Sequence, residues 1–260
     1  MRPASCGTKA MASSRMELPP ARDVLYAGAM QEGFGQICPV AMASEVFAHR
    51  WTPLILRELL SGSRRFNEIQ RGLPLVSRSL LARRLRALES AGVVEACPLP
   101  GERAREYRLT EAGQEFSAVI DRLGAWGQRW TVRVQSRNLD PGFLMWNVRR
   151  RIDLERLPPR RTVVRFEFGG VPAARGPRVF WLLLERAKAA ELCVRDPGYE
   201  VDLYVRADLA AFSGIWLGDR TYAQALASGQ VRLTGPRSLA RVFPSWLMLS
   251  RFAEVPRPHT

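Results

Sequence analysis

Lysine is almost missing from this chain: of its 39 basic residues, only Lys9 and Lys188 are lysines. Histidine is as scarce, with His49 and His259, and the four cysteines, Cys6, Cys38, Cys97 and Cys193, form no close pair. Zinc sites and dithiol motifs need such ligands a few residues apart, so no metal and no cofactor is expected. No apolar run reaches the roughly 18 residues of a membrane span. The opening MRPASCGTKAMASSRMELPPARD has no apolar stretch of the signal-peptide kind. The expectation is a cytoplasmic protein with reduced thiols and no membrane partner. A Gly-rich phosphate loop, a Gly-x-Ser-x-Gly elbow and an HExxH pair are absent too. The spacing of Glu185, Asp196 and Asp202 demands no catalytic pairing. The chain therefore reads as a protein that is not an enzyme.

What is present is length, apolar content and positive charge. The chain has 260 residues, 47% of them apolar, and a net charge of +14. That is enough for two ordinary domains, each with its own core. Arginine suits phosphates and guanine edges because its planar fork donates two bonds at once. A coding sequence rich in G and C gives the same bias, so composition leaves both explanations open. Position adds less than expected: residues 37–135 hold 15 basic and 10 acidic side chains, and residues 136–260 hold 20 and 12. The anion-binding end must be found from local pattern.

Residues 1–36 are rich in Ala, Gly, Pro, Ser and Met and read as a flexible tail, within which Met11, Met16 and Met30 are alternative starts. Helical patterns then follow at 39–48, 52–60 and 65–71. Gly72 and Pro74 interrupt, and Ser77 caps a longer helix that runs to Ala91. Strand-like runs at 93–97 and 105–109 flank the turn PLPGER, and Thr110 caps a last helix to about Trp130. Helices, a turn, a recognition helix, a hairpin and a helix make the order of a winged helix-turn-helix.

The helix after Ser77 carries the chemistry. At 100° per residue, Leu81, Leu85, Leu88 and Ala91 share one face, and Ser79, Arg83, Arg86 and Ser90 share the opposite one. A core face backed by a narrow basic face fits the major groove of double-stranded DNA. Arg83 and Arg86 are expected to read base edges with Ser79 assisting, Arg78 and Arg84 to reach phosphates, and Arg103 and Arg105 in the wing to contact phosphate or the minor groove.

The segment from Cys38-Pro39 through Trp51-Thr52, the ILREL run at 55–59, Arg65-Phe66, Tyr107-x-Leu-Thr and Gly113, ending in WGQRW, resembles the HxlR family of regulators over nearly 100 residues. The resemblance implies a homodimer that binds near-palindromic operators. In some members the cysteine ahead of the first helix senses electrophiles or oxidants, which corresponds here to Cys38. The residues themselves leave two readings of Cys38: a thiolate favoured by a helix N-terminus, or a small half-buried packing residue. Cys97 and Cys193 read as structural. Phe116, Val119, Ile120, Leu123, Trp126 and Trp130 recur every three or four residues in the last helix. So long a stripe is expected to pack against a two-fold mate or against the chain's own second half.

Residues 136–260 show strand-like runs at 162–168, 178–184, 191–195, 200–206 and 230–234. Helices are expected from Asp208 to Gly218, over 219–228, and from Pro236 onward with a break at Pro244. The succession ADLAAFSGIWLGDRTYAQALASGQVRLTGPRSLARVFPSWL resembles the sterol-carrier-protein family of lipid-binding domains. That resemblance implies a mixed sheet with helices around an apolar cavity. Trp216, Leu217, Phe243, Trp246 and Leu247 are its candidate lining, and an apolar small molecule its candidate ligand. Of the tryptophans Trp146, Trp181, Trp216 and Trp246, most read as core rather than pocket lining. The expected fold class is α+β: a flexible tail over 1–36, a winged helix-turn-helix domain over 37–135, and a mixed α/β sterol-carrier-like domain over 136–260. The expected function is a DNA-binding transcriptional regulator. The alternative is a lipid or small-molecule carrier whose first half serves only for dimerisation.

Overall fold

The computed structural model of the chain describes residues 33–99, 101, 104–131, 139–171 and 176–257. The expected flexible tail lies, except for residues 33–36, outside the described residues. Two compact units divide the chain between Asp121 and Arg122.

The first unit begins with α1 (Pro39–Phe47) and α2 (Thr52–Leu60). Their turn passes through Trp51, whose φ of 81° is the only positive value among the described non-glycine residues. The turn is tied by Thr52 N–H donating to His49 O at 3.0 Å and Ile55 N–H donating to Trp51 O at 2.9 Å. Next come α3 (Phe66–Arg71) and α4 (Arg78–Ser90), then the antiparallel strands β1 (Val94–Pro98) and β2 (Arg105–Leu109). Arg65 bridges to Glu106 on the free edge of β2, and Tyr107 N–H donates to Arg64 O at 2.8 Å, so the chain entering α3 adds a third short rung to the wing. The long helix α5 (Glu111–Trp130) closes the series. Its cap is Thr110, whose Oγ1 accepts the Gly113 N–H at 3.1 Å.

The core of this unit includes the expected face of α4, Leu81, Leu85, Leu88 and Ala91, whereas Leu54 of α2 is exposed. Ile55, Leu56 and Leu59 of α2, Ile69 of α3, and Leu81, Leu85 and Leu88 of α4 are all buried in one cluster. α1 contributes no buried residue, and its main anchor is the stacking of Phe47 on Phe116, ring centroids 5.4 Å apart.

The second unit takes in the last turns of α5. Gln128 Nε2 donates to Leu217 O at 2.8 Å, and the Phe252 ring lies so close to Gly124 that an added Cβ would come within 2.1 Å of it. The unit continues with α6 (Pro141–Arg149), whose first turn is capped by Asp140, and a 3-10 turn over Leu154–Arg156. Strands β3 (Thr162–Gly169), β4 (Val179–Glu185), β5 (Lys188–Cys193), β6 (Leu203–Asp208) and β7 (Val231–Thr234) form one sheet in the order β5-β4-β3-β6-β7. Only β3 and β6 run parallel; the other neighbours are antiparallel. Between β6 and β7 lie α7 (Leu209–Trp216) and α8 (Tyr222–Ala227), and α9 (Arg237–Val242) follows β7.

Period-two burial explains the layering. Phe166, Phe168, Phe180, Leu182, Leu203 and Val205 face a core completed by Phe212, Phe243 and Trp246, while Arg165, Glu167, Tyr204, Arg206 and Arg232 alternate onto the other face.

Several expected elements differ in extent, α8 among them, which spans Tyr222–Ala227 rather than 219–228. β5 spans Lys188–Cys193 rather than 191–195, because the hairpin from β4 turns tightly over Arg186 and Ala187. β6 pairs only from Leu203 rather than 200, because the chain before it is held by Asp202, whose Oδ2 accepts the Val163 N–H at 2.8 Å and whose Oδ1 meets Arg160 at 2.6 Å. The final helix breaks where expected: it stops at Val242 and passes into a 3-10 turn over Phe243–Ser245 that contains Pro244.

Candidate nucleic-acid interface

The turn between α3 and α4 sets the aim of α4, and a buried polar clamp fixes it. Glu58 of α2 is fully buried. Its Oε1 receives Arg57 Nη2 at 2.9 Å and its Oε2 receives Ser63 Oγ at 3.2 Å, while the same Arg57 nitrogen donates to Gly72 O at 3.0 Å. A Cβ on Gly72 would sit 2.0 Å from Glu58 Cδ. Gly72 is therefore required by a close approach, since its φ of −74° suits any residue. Gln70 Nε2 then spans the turn, donating to Val76 O at 2.7 Å and Leu73 O at 3.3 Å. Ser77 Oγ accepts the Leu80 N–H at 3.3 Å and starts α4.

On α4 the outward face is the expected one: Ser79, Arg83, Arg86 and Ser90 are exposed. The Ser79 hydroxyl lies 3.2 Å from that of Ser77. Among the described residues, neither Arg83 nor Arg86 meets a carboxylate. The flanking arginines are more tied. Arg78 donates to Asn67 Oδ1 at 3.1 Å with its guanidinium 4.8 Å from the Phe66 ring centre. Arg84 is half-buried, and its Nε finds no hydrogen-bond partner. Arg64, one of the seven arginines between 64 and 86, turns inward and donates to Leu59 O at 2.9 Å. In the wing, Arg105 is exposed at the start of β2, and Arg103 lies outside the described residues. Sequence reasoning did not single out Leu75, which stands 71% exposed in the turn before α4 beside the buried Val76. An exposed large apolar residue between two turn-forming positions was the available signal.

Cys38 occupies the N-cap position of α1 and is exposed. Its thiol is held below the ordinary cysteine value by the backbone N–H groups of Ala41 and, less strongly, Val40. Cys97 is buried, and burial pushes the Cys193 thiol up. Among the described residues, no group of three or more His, Cys, Asp or Glu side chains can hold a metal ion, and no helix is long and apolar enough to cross a membrane.

The HxlR-like helix-turn-helix family model matches residues 46–135. The HTH-type transcriptional regulator YvaP of Bacillus subtilis (strain 168) is 35% identical over 111 residues, which are 42% of this chain and 95% of that protein. The chain belongs to the HxlR-like helix-turn-helix family. The HTH-type transcriptional regulator Rv3095 of Mycobacterium tuberculosis (strain ATCC 25618 / H37Rv) is 42% identical over 36% of this chain and 60% of its own length. Among solved structures, the reduced form of the transcriptional regulator YodB from B. subtilis is 34% identical over 36% of this chain and 95% of that one, with a TM-score of 0.32. With α2 to α5 and the wing in the family's order, the first unit is a winged helix-turn-helix and the protein is a DNA-binding regulator of transcription. The family model stops at residue 135.

The residues expected to line a cavity in the second unit have different surroundings. Phe243 and Trp246 are fully buried and Leu247 nearly so, in the core cluster. Phe243 lies between Phe166, at 6.0 Å, and Trp246, at 5.8 Å between ring centres. Trp216 and Leu217 are half-buried. Phe243, Trp246 and Leu247 fill the core, Trp216 packs against it, and none of the five lines the open groove of about 550 Å³ on the sheet's other face.

Proposed function

We propose that the protein binds a near-palindromic operator as a homodimer, with α4 in the major groove. The observation that carries this reading is the outward face of α4: Arg83 and Arg86 are exposed without acidic partners on a helix whose opposite face is fully buried. Unpaired arginines aimed outward from a rigid helix keep their donors for guanine edges. Ser79 assists at the helix start, Arg78 and Arg84 approach phosphates on either side, and Arg103 and Arg105 belong to the wing contact. The dimer reading rests on uncovered apolar surface. On α5, Val119, Leu123, Trp126 and Trp130 are 43–59% exposed, and near α1 Val40 and Ile37 are exposed as well. A stripe of this kind is what a two-fold mate covers. The test is a gel shift with DNA from upstream of its own coding region. Arg83→Ala and Arg86→Ala should each weaken binding by about 1–3 kcal/mol and relax specificity; wild-type binding by both would remove the reading. Conversion of Cys38 by an electrophile or oxidant is a second input in this proposal, supported by its exposed, thiolate-favouring position.

The second unit enters the proposal as a sterol-carrier-like domain that biases the DNA-binding half through an apolar ligand. This reading rests on the succession over 207–247 alone, since Phe243 and Trp246 are packed in the core cluster. Mass spectrometry of an organic extract of the purified protein tests this, and an empty extract with unchanged DNA affinity on adding fatty acyl compounds counts against it. A carrier whose first half only dimerises is the weaker reading, because the outward face of α4 then has no use for Arg83 and Arg86.

A further inference from the structure

The face of the second unit's sheet that points away from its core carries an arrangement that neither the winged helix nor the packed core accounts for. Register places three residues side by side across it: Glu167 on β3 opposite Arg206 on β6, and Arg206 opposite Arg232 on β7. Directly opposed residues on one face hold their Cβ atoms about 4.5–5.5 Å apart, and like charges so placed repel. Compensation is thin. The single carboxylate in the row, Glu167, already receives Arg165 at 2.9 Å and lies 3.6 Å from Arg206. Arg232 meets no carboxylate among the described residues, and Arg178 at the neighbouring strand end reaches only the Val171 carbonyl, at 3.2 Å. Elsewhere in this unit, by contrast, Arg160 meets Asp202 at 2.6 Å and Arg257 meets Asp219 at 2.9 Å.

The cationic row borders a space. Two residues beyond Glu167, on the same outward face, stands Gly169, where an added Cβ would meet nothing nearer than Ala207 O at 4.0 Å. With no side chain there, the face opens into the groove of about 550 Å³, lined by Arg178, Arg206 and Arg232 among others. Ligand sites of small molecules commonly fall between about 300 and 1,000 Å³. The other acid on its rim, Asp208, caps α7 with Oδ1, which accepts the Ala211 N–H at 2.9 Å, and it keeps its charge. Three guanidinium groups, of Arg178, Arg206 and Arg232, therefore face the two carboxylates of Glu167 and Asp208 in the lining.

We propose that this groove binds a small anionic ligand, a phosphate monoester or a carboxylate, between the guanidinium groups of Arg206 and Arg232, with Arg178 at the rim. The ligand relieves the Arg206–Arg232 repulsion and takes paired N–H donors from planar forks, the geometry for which arginine is suited. The site stands apart from the DNA-binding reading and from an apolar ligand in the core, so its test uses neither DNA nor lipid.

Isothermal titration of the full chain at low ionic strength with inorganic phosphate, glycerol 3-phosphate and succinate is the experiment. Saturable one-site binding of at least one probe is expected, and the preferred probe tells phosphate from carboxylate. Arg232→Gln and Arg206→Gln should each weaken it by at least ~10-fold, the scale of one lost charge-assisted pair. Arg195→Gln, an exposed arginine outside the groove, should leave it unchanged. Both groove arginines are exposed, so circular dichroism and melting should match wild type. No saturation by any probe up to about 10 mM, the weak end of specific affinity, would overturn the proposal. So would equal losses in Arg195→Gln and Arg232→Gln, which mean diffuse surface charge. A random-sequence DNA duplex that needs Arg232 while the small anions do not bind would overturn it in favour of a nucleic-acid contact.

Discussion

Among the described residues, the outward Arg83 and Arg86 of α4 stand without acids, whereas on the second unit's surface arginines are repeatedly matched to them: Arg160 to Asp202, Arg161 to Glu185, Arg165 to Glu167 and Arg257 to Asp219. By count the back of the chain is the more basic, with 20 basic and 12 acidic residues over 136–260 against 15 and 10 over 37–135. Count and function point in opposite directions. What marks a nucleic-acid face is positive charge left unpaired on a rigid, shaped element. The two units differ inside as well. The helix α5 that runs from the first unit into the second leaves an apolar stripe exposed, while the second unit's core closes its aromatics around Phe166, Phe212, Phe243 and Trp246.

The largest effect that sharpens this contrast is expected in the filled core. Trp246→Ala should destabilise the protein by about 3–5 kcal/mol in a denaturant melt. A side chain that merely lined an open cavity would cost far less, so a loss near zero would break the contrast between packed and open interiors. The uncovered stripe comes next. Trp126→Ala should weaken self-association by roughly tenfold or more, read by light scattering of the full chain across concentration. An oligomeric state equal to wild type throughout would show that the stripe is not the interface.

These contrasts were unevenly legible in the sequence. The caps at Ser77 and Thr110 were plain, each accepting an N–H three residues on, because short polar side chains before apolar periodicity have few other uses. The face of α4 followed from helical period alone. Harder were features set by partners distant in sequence. Gly72 reads as a helix breaker, yet it is there because Glu58, 14 positions earlier, fills the space a side chain would need. Trp51 takes a left-handed conformation that no bulky residue announces. The partners of Arg64 and Arg78 decide which arginines of a run stay outside, and a charge pattern does not reveal them. The groove at Arg206 and Arg232 depends on strand order, since β6 pairs with β3 across an intervening hairpin.

Smaller effects test the first unit's surface. Arg105→Ala should lower DNA affinity evenly across sequences and reduce the salt dependence by about one counterion, measured as binding against salt concentration. A change in sequence preference would instead make Arg105 a base-reading residue. At Cys38 the expected effect is on rate, not stability. Its value is lowered, so more thiolate is present at neutral pH than in an ordinary cysteine. Iodoacetamide labelling of Cys38 should then reach half its maximal rate below the ordinary thiol value of about 8.5, with Cys193 labelled only at higher pH. Labelling of Cys38 that lags Cys193 would contradict the helix-terminus account.

One measurement sets the two arginine surfaces directly against each other: a gel shift with DNA from upstream of the protein's own coding region, without added small anions. It compares the double variant Arg83→Ala/Arg86→Ala with Arg206→Gln/Arg232→Gln, each removing two positive charges. The account predicts that the first loses at least ~30-fold in affinity, the sum of two base-reading contacts, and that the second stays within about twofold of wild type, the usual scale of changes at a surface site away from the contact. Equal losses in both would reduce recognition to net charge, and a loss confined to the second would move the DNA-binding face off α4 altogether.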